Sequence, residues 1–139
     1  MKFSILINTH NQHEYLNKAI KSCLDQSFRD YEIIICDTSD KNIKNNKFFS
    51  KRNISYFHLP SKYKQAEQNQ MMKVLFGLKK SKGDFICLMD GDDYFSKKKL
   101  YFLDKLINKK KIFFNQDNPV LIKDNFIFGK KIKKKVYKL

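Results

Sequence analysis

Glycine and proline are scarce, with 4 and 2 residues among 139, and tryptophan is absent. This scarcity disfavours a fold made mainly of loops. No apolar run approaches the roughly 20 residues that span a bilayer. A strand-like segment begins directly after Met1, so we expect no cleaved signal peptide. Three cysteines lie in apolar segments without metal-ligand spacing, and we expect reduced core thiols of a cytoplasmic protein at Cys23, Cys36 and Cys87.

Acidic residues are also few, with 14 Asp and Glu against 29 Lys and Arg, and the formal net charge is +15. Such an excess can attract nucleic acid, anionic lipid or phosphate-bearing substrates. The lysines are scattered without a nucleic-acid-binding motif, so we expect most to be solvated and no specific nucleic acid to bind. Residues 130–139 contain six lysines. This lysine-rich tail either contacts anionic lipid at the inner face of the membrane or is a solvated terminus.

Hydrophobic residues make up 42% of the chain, which is enough for one packed domain. Apolar runs rich in β-formers predict four buried strands: Phe3–Asn8, Glu32–Asp37, Ile54–Leu59 and Asp84–Met89. Apolar residues at helical spacing predict three helices: about Gln12–Gln26, about Gln65–Lys80, and one marked by Leu100, Leu103, Leu106 and Ile107. Strands that alternate with helices in this way predict an α/β fold, with a mostly parallel sheet and helices on both faces.

Local signals refine this prediction. Asn11 is placed to be the N-cap of the first helix, with Glu14 in the capping position. The second helix carries one apolar face, formed by Met71, Val74, Leu75 and Leu78. After Asn108 the pattern weakens to three short strand candidates: Ile112–Phe114, Val120–Ile122 and Phe126–Phe128.

Polar residues follow the predicted strands, where parallel sheets bind their ligands. They are Thr9, Asn11, Asp37 and the cluster Asp90–Asp93. The carboxylates of Asp90, Asp92 and Asp93 would repel one another without a cation, and Mg²⁺ or Mn²⁺ prefers such ligands together with substrate phosphates. Gly91 lets the backbone pass close to a ligand. The alternative is an acidic turn in which Asp92 or Asp93 caps a helix that starts near Ser96.

The segment Gly83–Asp93 resembles the part of family 2 glycosyltransferases in which a strand leads to an Asp-x-Asp-Asp motif. Ser4–Asn11 is similar to the first strand of that family and its Pro-Thr-Tyr-Asn turn, and Tyr31–Asp37 to its second strand. Tyr15–Ser27 is similar to the helix between them, and Gly77 keeps its spacing to Gly83. The resemblance covers Phe3–Leu106. It implies a Rossmann-like GT-A fold and the N-terminal, nucleotide-sugar-binding portion of an inverting enzyme.

The resemblance also implies roles for the polar residues. Asp37 would bind the base or ribose, and Thr9 and Asn11 would line the same nucleotide-sugar pocket. Asp90 would lie against the ribose and the metal, and Asp92 would be the main ligand of Mn²⁺ or Mg²⁺. Gly91 and Asp93 would support that loop. The donor would be a nucleotide-diphosphate sugar, UDP-linked, and the acceptor a glycan or a lipid-linked sugar.

Three departures from the family pattern leave the base and sugar open. Asn8 stands where the family often has Pro, and Thr38 where a second acid often follows. Val74-Leu75 replaces an Arg-Asn pair that often precedes the glycine at Gly77.

The general base of the family comes well after the Asp-x-Asp region, and we expect it to be absent here. Asp117 and Asp124 are the acids that follow Asp104, beside Asn residues typical of turns. His10, His13 and His58 are interpreted as loop, helix-surface and strand residues. Two hypotheses therefore stand: an active transferase, or a truncated or non-catalytic nucleotide-sugar-binding module. We expect residues 1–129 to form the transferase-like domain and residues 130–139 the tail, with a homo-oligomer or a partner subunit left open.

Overall fold

The computed structural model describes residues 1–43, 45–110, 121–123 and 126–128. The chain forms two compact units, Met1–Leu103 and Asp104–Leu139. The first unit contains four strands: β1 (Phe3–Thr9), β2 (Tyr31–Asp37), β3 (Ile54–His58) and β4 (Phe85–Asp90). It also contains the helices α1 (His13–Leu24) and α2 (Ala66–Lys80). Helix α3 (Lys99–Lys110) begins in the first unit and ends in the second.

The four strands form one parallel sheet in the order β3-β2-β1-β4. Strand β1 is therefore central, with β2 on one side and β4 on the other. Its register places Thr9 opposite Asp37, and Asn8 opposite both Cys36 and Asp90. The carboxyl ends of three strands consequently bring the polar residues of the sequence motifs to one edge of the sheet.

Helices cover both faces of the central strands, as expected for a parallel sheet. On one face Phe76 of α2 packs against Leu6, Ile34 and Cys36. On the other face the thiol of Cys23 in α1 lies 3.8 Å from the sulfur of Met89. All seven residues of β1 are buried, including the polar Ser4, Asn8 and Thr9. The predicted α/β fold with a parallel sheet is confirmed.

Among the described strands, β4 lies at an edge of this sheet and is less covered than β1. Ile86 and Leu88 alternate with the buried Cys87 and Met89, and the Leu88 side chain is 55% exposed. Leu88 pairs with Leu6, so it lies on the α2 side of the sheet. Helix α2 therefore covers β1 and β2 but leaves part of β4 open.

The predicted apolar face of α2 is wrong in its orientation. Met71, Leu75 and Leu78 are 58%, 59% and 42% exposed. The buried residues of the helix are instead Asn69, Lys73 and Gly77, which are spaced four apart on the opposite stripe. Gly77 allows the helix to lie close to β1, because a Cβ atom there would be 3.1 Å from Leu6 Cδ1. The stripe of α2 that is buried therefore contains polar and small residues rather than aliphatic ones.

Two predictions about helix starts are also wrong. The N-cap of α1 is Gln12 rather than Asn11, and no side chain caps the helix. Asn11 instead has a positive φ of 54°, a left-handed conformation that asparagine tolerates better than most residues. Helix α3 begins at Lys99 rather than near Ser96, which leaves Asp92 and Asp93 outside its first turn.

All three cysteines are free and buried, which confirms the predicted core thiols. Burial raises the pKa of the Cys23 and Cys36 thiols to about 12, so both stay protonated at neutral pH.

The second unit contains two short antiparallel strands, β5 (Leu121–Lys123) and β6 (Phe126–Phe128). They confirm two of the three late strand candidates. The third, Ile112–Phe114, lies outside the described residues, as do Val120 and the tail at residues 130–139.

Gly83, which precedes β4, packs directly against the backbone of β1. A Cβ atom there would lie 2.6 Å from both the carbonyl carbon of Phe3 and the backbone nitrogen of Ser4. We expect Gly83→Ala to lower the free energy of unfolding by about 1–3 kcal/mol, because backbone atoms must move to relieve this overlap. Urea unfolding followed by circular dichroism measures the change.

Gly77→Ala is the matched control. Its new methyl group would meet the movable side chain of Leu6, and alanine favours a helix over glycine by about 1 kcal/mol. We expect a smaller loss than at Gly83. Equal losses in the two variants would contradict the close approach of Gly83 to β1.

Candidate functional site

A cavity of about 860 Å³ opens at the carboxyl ends of β1 and β4, beside α2. This volume is in the range of small-molecule sites. Its wall is mostly contributed by strand ends and by α2, and includes Asn8, Thr38, Asn69, Gln70, Lys73, Asp90 and Asp92. The cavity therefore lies where parallel α/β sheets bind ligands.

Lys73 is the buried cation of this cavity, with only 4% of its surface exposed. Its Nζ donates a hydrogen bond to the carbonyl oxygen of Thr9 at 3.1 Å. Burial lowers the pKa of the ammonium, while the nearby carboxylates of Asp37 and Asp90 act in the opposite direction. Lys73 thus supplies positive charge between the ends of β2 and β4.

Asn8 contributes a buried carboxamide to the same wall and is 4% exposed. Its Oδ1 atom has no hydrogen-bond partner among the described residues, and the same holds for Thr9 Oγ1 and His13 Nε2. A buried acceptor without a donor costs roughly 1–3 kcal/mol, so such an atom commonly marks a place that a ligand or water completes.

The acid cluster lies at the rim of the cavity, on the turn that follows β4. Asp90 and Asp92 are exposed and line the cavity. Gln70 Nε2 donates to Asp90 Oδ1 at 3.0 Å. Burial and then the charges of Asp90 and Asp92 raise the pKa of Asp93.

Gly91 holds the acid turn, residues 90–93, against β1. Its backbone nitrogen donates to the carbonyl oxygen of Asn8 at 2.9 Å, and a Cβ atom would lie 2.5 Å from Thr9 Oγ1. A side chain at this position would therefore push the acid turn away from the strand. Glycine is required here by close approach to the neighbouring strand.

The described residues contain no group of three His, Cys, Asp or Glu side chains placed to hold a metal ion. Two carboxylates, those of Asp90 and Asp92, nevertheless lie together at the cavity. Magnesium is commonly bound by one or two carboxylates, with the other ligands supplied by water and substrate phosphates. The residues present therefore fit a cation that binds together with a phosphorylated ligand.

Asp37 and Thr9 lie at the correct strand ends, but they are buried and are not among the residues that line the cavity. Asp37 Oδ1 accepts hydrogen bonds from the backbone nitrogen of Ser39, at 2.7 Å, and from its hydroxyl group. Asp37 Oδ2 accepts from Tyr56 Oη at 2.9 Å, and His13 Nε2 lies 3.8 Å away. Both carboxylate oxygens are thus already paired. Thr38, the next residue, lines the cavity instead.

Asn11 connects two loops and does not line the cavity. Its backbone nitrogen donates to Ser39 Oγ at 2.7 Å, and its side chain exchanges two hydrogen bonds with Asp40, at 3.0 and 3.1 Å. The loop after β1 is therefore fastened to the loop after β2. This contact uses the left-handed conformation that the cap prediction did not anticipate.

The polar residues of α2 are the part of the site that the sequence reasoning missed. Asn69 Oδ1 accepts from the backbone nitrogens of Lys62 and Tyr63, both at 3.1 Å, and its Nδ2 donates to the Tyr63 carbonyl at 2.6 Å. Asn69 therefore holds the loop before α2 against the cavity. Their i, i+4, i+8 spacing places Asn69, Lys73 and Gly77 on one stripe of the helix, but spacing alone does not show that this stripe faces the sheet.

The fold and the site define an α/β protein with a cavity at the carboxyl ends of a parallel sheet. Its wall contains a buried lysine and two carboxylates. The model of the family "Glycosyl transferase family 2" matches residues 4–131. The chain belongs to glycosyl transferase family 2. The family predicted from the sequence motifs is thereby confirmed.

Known proteins agree with this assignment. An uncharacterized glycosyltransferase of Haemophilus influenzae is 32% identical over 129 residues, which cover 90% of this chain and 47% of that protein. The Escherichia coli UDP-Glc:alpha-D-GlcNAc-diphosphoundecaprenol beta-1,3-glucosyltransferase WfaP is 30% identical, over 91% of this chain and 49% of WfaP. The chain thus spans about half the length of these relatives.

A solved structure supports the fold. The crystal structure of S. aureus TarS 1-349 in complex with UDP matches with a TM-score of 0.69 and 24% identity. The match covers 80% of this chain and 33% of the TarS 1-349 chain. None of the helices that the structure describes is both long enough and apolar enough to span a membrane.

The hydrogen bond from Tyr56 to the buried Asp37 carboxylate should stabilise the loops behind the cavity. We expect Tyr56→Phe to lower the free energy of unfolding by about 1.5–3 kcal/mol, as is typical for a bond to a charged group. Guanidinium unfolding measures the loss. Tyr31→Phe is the comparison, because the Tyr31 hydroxyl donates to a carbonyl rather than to a carboxylate, that of Leu24, over the longer distance of 3.5 Å, and its other partners are the side chains of Arg29 and Asn53. An equal or larger loss at Tyr31 would contradict this account.

Proposed function

We propose that this chain binds a UDP-linked sugar in the cavity and transfers the sugar, with inversion, to a glycan or lipid-linked acceptor. The observation that carries the proposal is the pair Asp90 and Asp92 at the cavity rim, beside the buried cation Lys73. Membership of the family supports transfer chemistry. The name of WfaP, which specifies UDP-Glc and a diphosphoundecaprenol acceptor, supports the substrate classes, and the UDP in TarS supports the donor.

Asp90 and Asp92 would hold Mn²⁺ or Mg²⁺ against the diphosphate of the donor. A cation bound there would neutralise the charge that develops on the departing nucleoside diphosphate. The chain itself prepares this position, since Gln70 orients the Asp90 carboxylate and the contact of Gly91 with Thr9 fixes the turn. Asp93 supports the same turn, with its backbone nitrogen donating to the Asp90 carbonyl at 3.1 Å.

A second candidate function is nucleotide-sugar binding without turnover by this chain alone. It is favoured by the acids of the cavity wall, which within the described residues are Glu67, Asp90 and Asp92. With two of them assigned to the cation, only Glu67 is left to deprotonate an acceptor hydroxyl, and transfer requires such a base. Asp117 and Asp124, the other candidates, lie outside the described residues.

The remaining partners stay predictions. Contact of the lysine-rich tail with anionic lipid concerns residues outside the described part of the chain. A cytoplasmic location at the inner face of the membrane, and association with a second copy or a partner subunit, stay predictions too.

Calorimetric titration of UDP with Mn²⁺ tests the donor site. We expect Asp92→Asn to weaken manganese-dependent binding by at least about tenfold, because it removes a charged ligand of the cation. Asp84→Asn is the matched control, since Asp84 is exposed just before the amino end of β4, away from the cavity. Equal effects of the two substitutions, or no binding of UDP to the unchanged chain, would refute the proposed site.

The two candidate functions differ in turnover. Release of UDP from UDP-glucose, measured with and without a diphosphoundecaprenol-linked sugar, supports the transferase if it depends on both the acceptor and Asp92. Tight binding of UDP without release, with the acceptor present, supports the binding module instead.

A further inference from the structure

Two buried polar side chains of the cavity wall have hydrogen-bonding capacity that the described residues do not use. The Lys73 ammonium has three N–H donors, and Thr9 O is its acceptor within the described residues. Two donors are therefore available to a ligand. Asn8 Oδ1, in the same wall, has no donor within the described part of the chain.

The position of Lys73 makes an anion its natural ligand. The ammonium lies at the carboxyl end of β1, near enough to Asp37 and Asp90 to interact with their charges. Asp37 is already paired with Ser39 and Tyr56, and Asp90 with Gln70. The remaining N–H groups of Lys73 are thus not consumed by either carboxylate. An ammonium with free donors binds a phosphate oxygen more strongly than a neutral acceptor.

We propose that Lys73 binds the diphosphate of the donor directly and gives the site an affinity for nucleoside diphosphates that does not require a divalent cation. The inference rests on the proposed function, since it assigns a further residue to the same site. Lys73 lines the same cavity as Asp90 and Asp92, so its ammonium would bind the diphosphate in the cavity whose carboxylates would hold the cation. Asn8 Oδ1 would accept a hydrogen bond from a neutral N–H or O–H group of the nucleoside.

The orientation of α2 supports this role. A lysine on a helix face normally extends into solvent, whereas here the helix exposes Met71 and Leu75 and buries Lys73. Burying an ammonium is costly unless it is paired. Because α2 buries Lys73 and exposes its aliphatic side chains, the Lys73 ammonium lies in the cavity wall, where an anionic ligand would pair with it.

Titration of UDP and of uridine in the presence of EDTA tests the inference. We expect UDP to bind the unchanged chain without metal, and Lys73→Met to weaken this binding at least about tenfold, the loss expected for a hydrogen bond to a charged group. Uridine binding should change much less, because uridine lacks the diphosphate. Lys73→Arg should restore part of the affinity for UDP, since it keeps the positive charge.

Lys79→Met is the matched control, because Lys79 is an exposed lysine on the last turn of the same helix. Asn8→Leu is expected to weaken the binding of UDP and of uridine equally, without lowering stability, because it removes a buried Oδ1 that has no donor among the described residues and keeps a side chain of similar size. The free energy of unfolding of each variant is measured in parallel. A Lys73→Met variant that is destabilised is compared through its ratio of UDP to uridine affinity, which loss of folded protein does not change.

The outcomes separate this inference from the proposed function. Metal-free UDP binding that falls in Lys73→Met and persists in Lys79→Met supports the role of Lys73. UDP binding that requires Mn²⁺ in the unchanged chain, or that is the same in Lys73→Met, overturns this role while the donor site stands. Absence of UDP binding under every condition overturns both.

Discussion

The register of β1 against its two neighbours determines where every polar side chain of the site lies. Because β1 is buried on both faces, a slip of one residue in its pairing would exchange the side chains that pack toward α1 with those that pack toward α2. This register places Asn8 between Cys36 and Asp90, and Thr9 opposite Asp37. The cavity, the acid turn and the loops behind them are all built outward from this one strand.

The strand cores and the acid turn were predictable because their signals are local. Continuous apolar runs predicted all four parallel strands to within about two residues, which is the usual precision of element boundaries. The sequence predicted that Gly91 lets the backbone pass close to a ligand, and the structure shows that it also lies close to Thr9 of the neighbouring strand. Thr9, Asp37 and Asp90 therefore lie at the strand ends at which the sequence predicted them.

The face of α2 and the conformation of Asn11 could not be predicted, because both depend on contacts distant in sequence. Hydrophobic periodicity assigned Met71 and Leu75 to the interior, but both side chains are exposed. The sequence around Lys73 gives no sign that its ammonium donates a hydrogen bond to the Thr9 carbonyl. Asn11 carries a cap-like sequence, yet its bonds go to Ser39 and Asp40 in another loop. In both cases a tertiary hydrogen bond overrode a pattern that is valid only on average.

The inward polar face of α2 has a thermodynamic consequence. A helix that buries leucines is held to its sheet by apolar burial whether or not a ligand is present. This helix contacts the sheet through Phe76, the close approach at Gly77 and the buried ammonium of Lys73. An anion that binds the ammonium would also stabilise the packing of the helix against the sheet. By linkage, a change that destabilises this packing lowers the affinity for the anion by the same free energy. Docking of α2 and occupancy of the cavity are then one coupled equilibrium, observable as ligand-dependent protection of the α2 amides from hydrogen exchange.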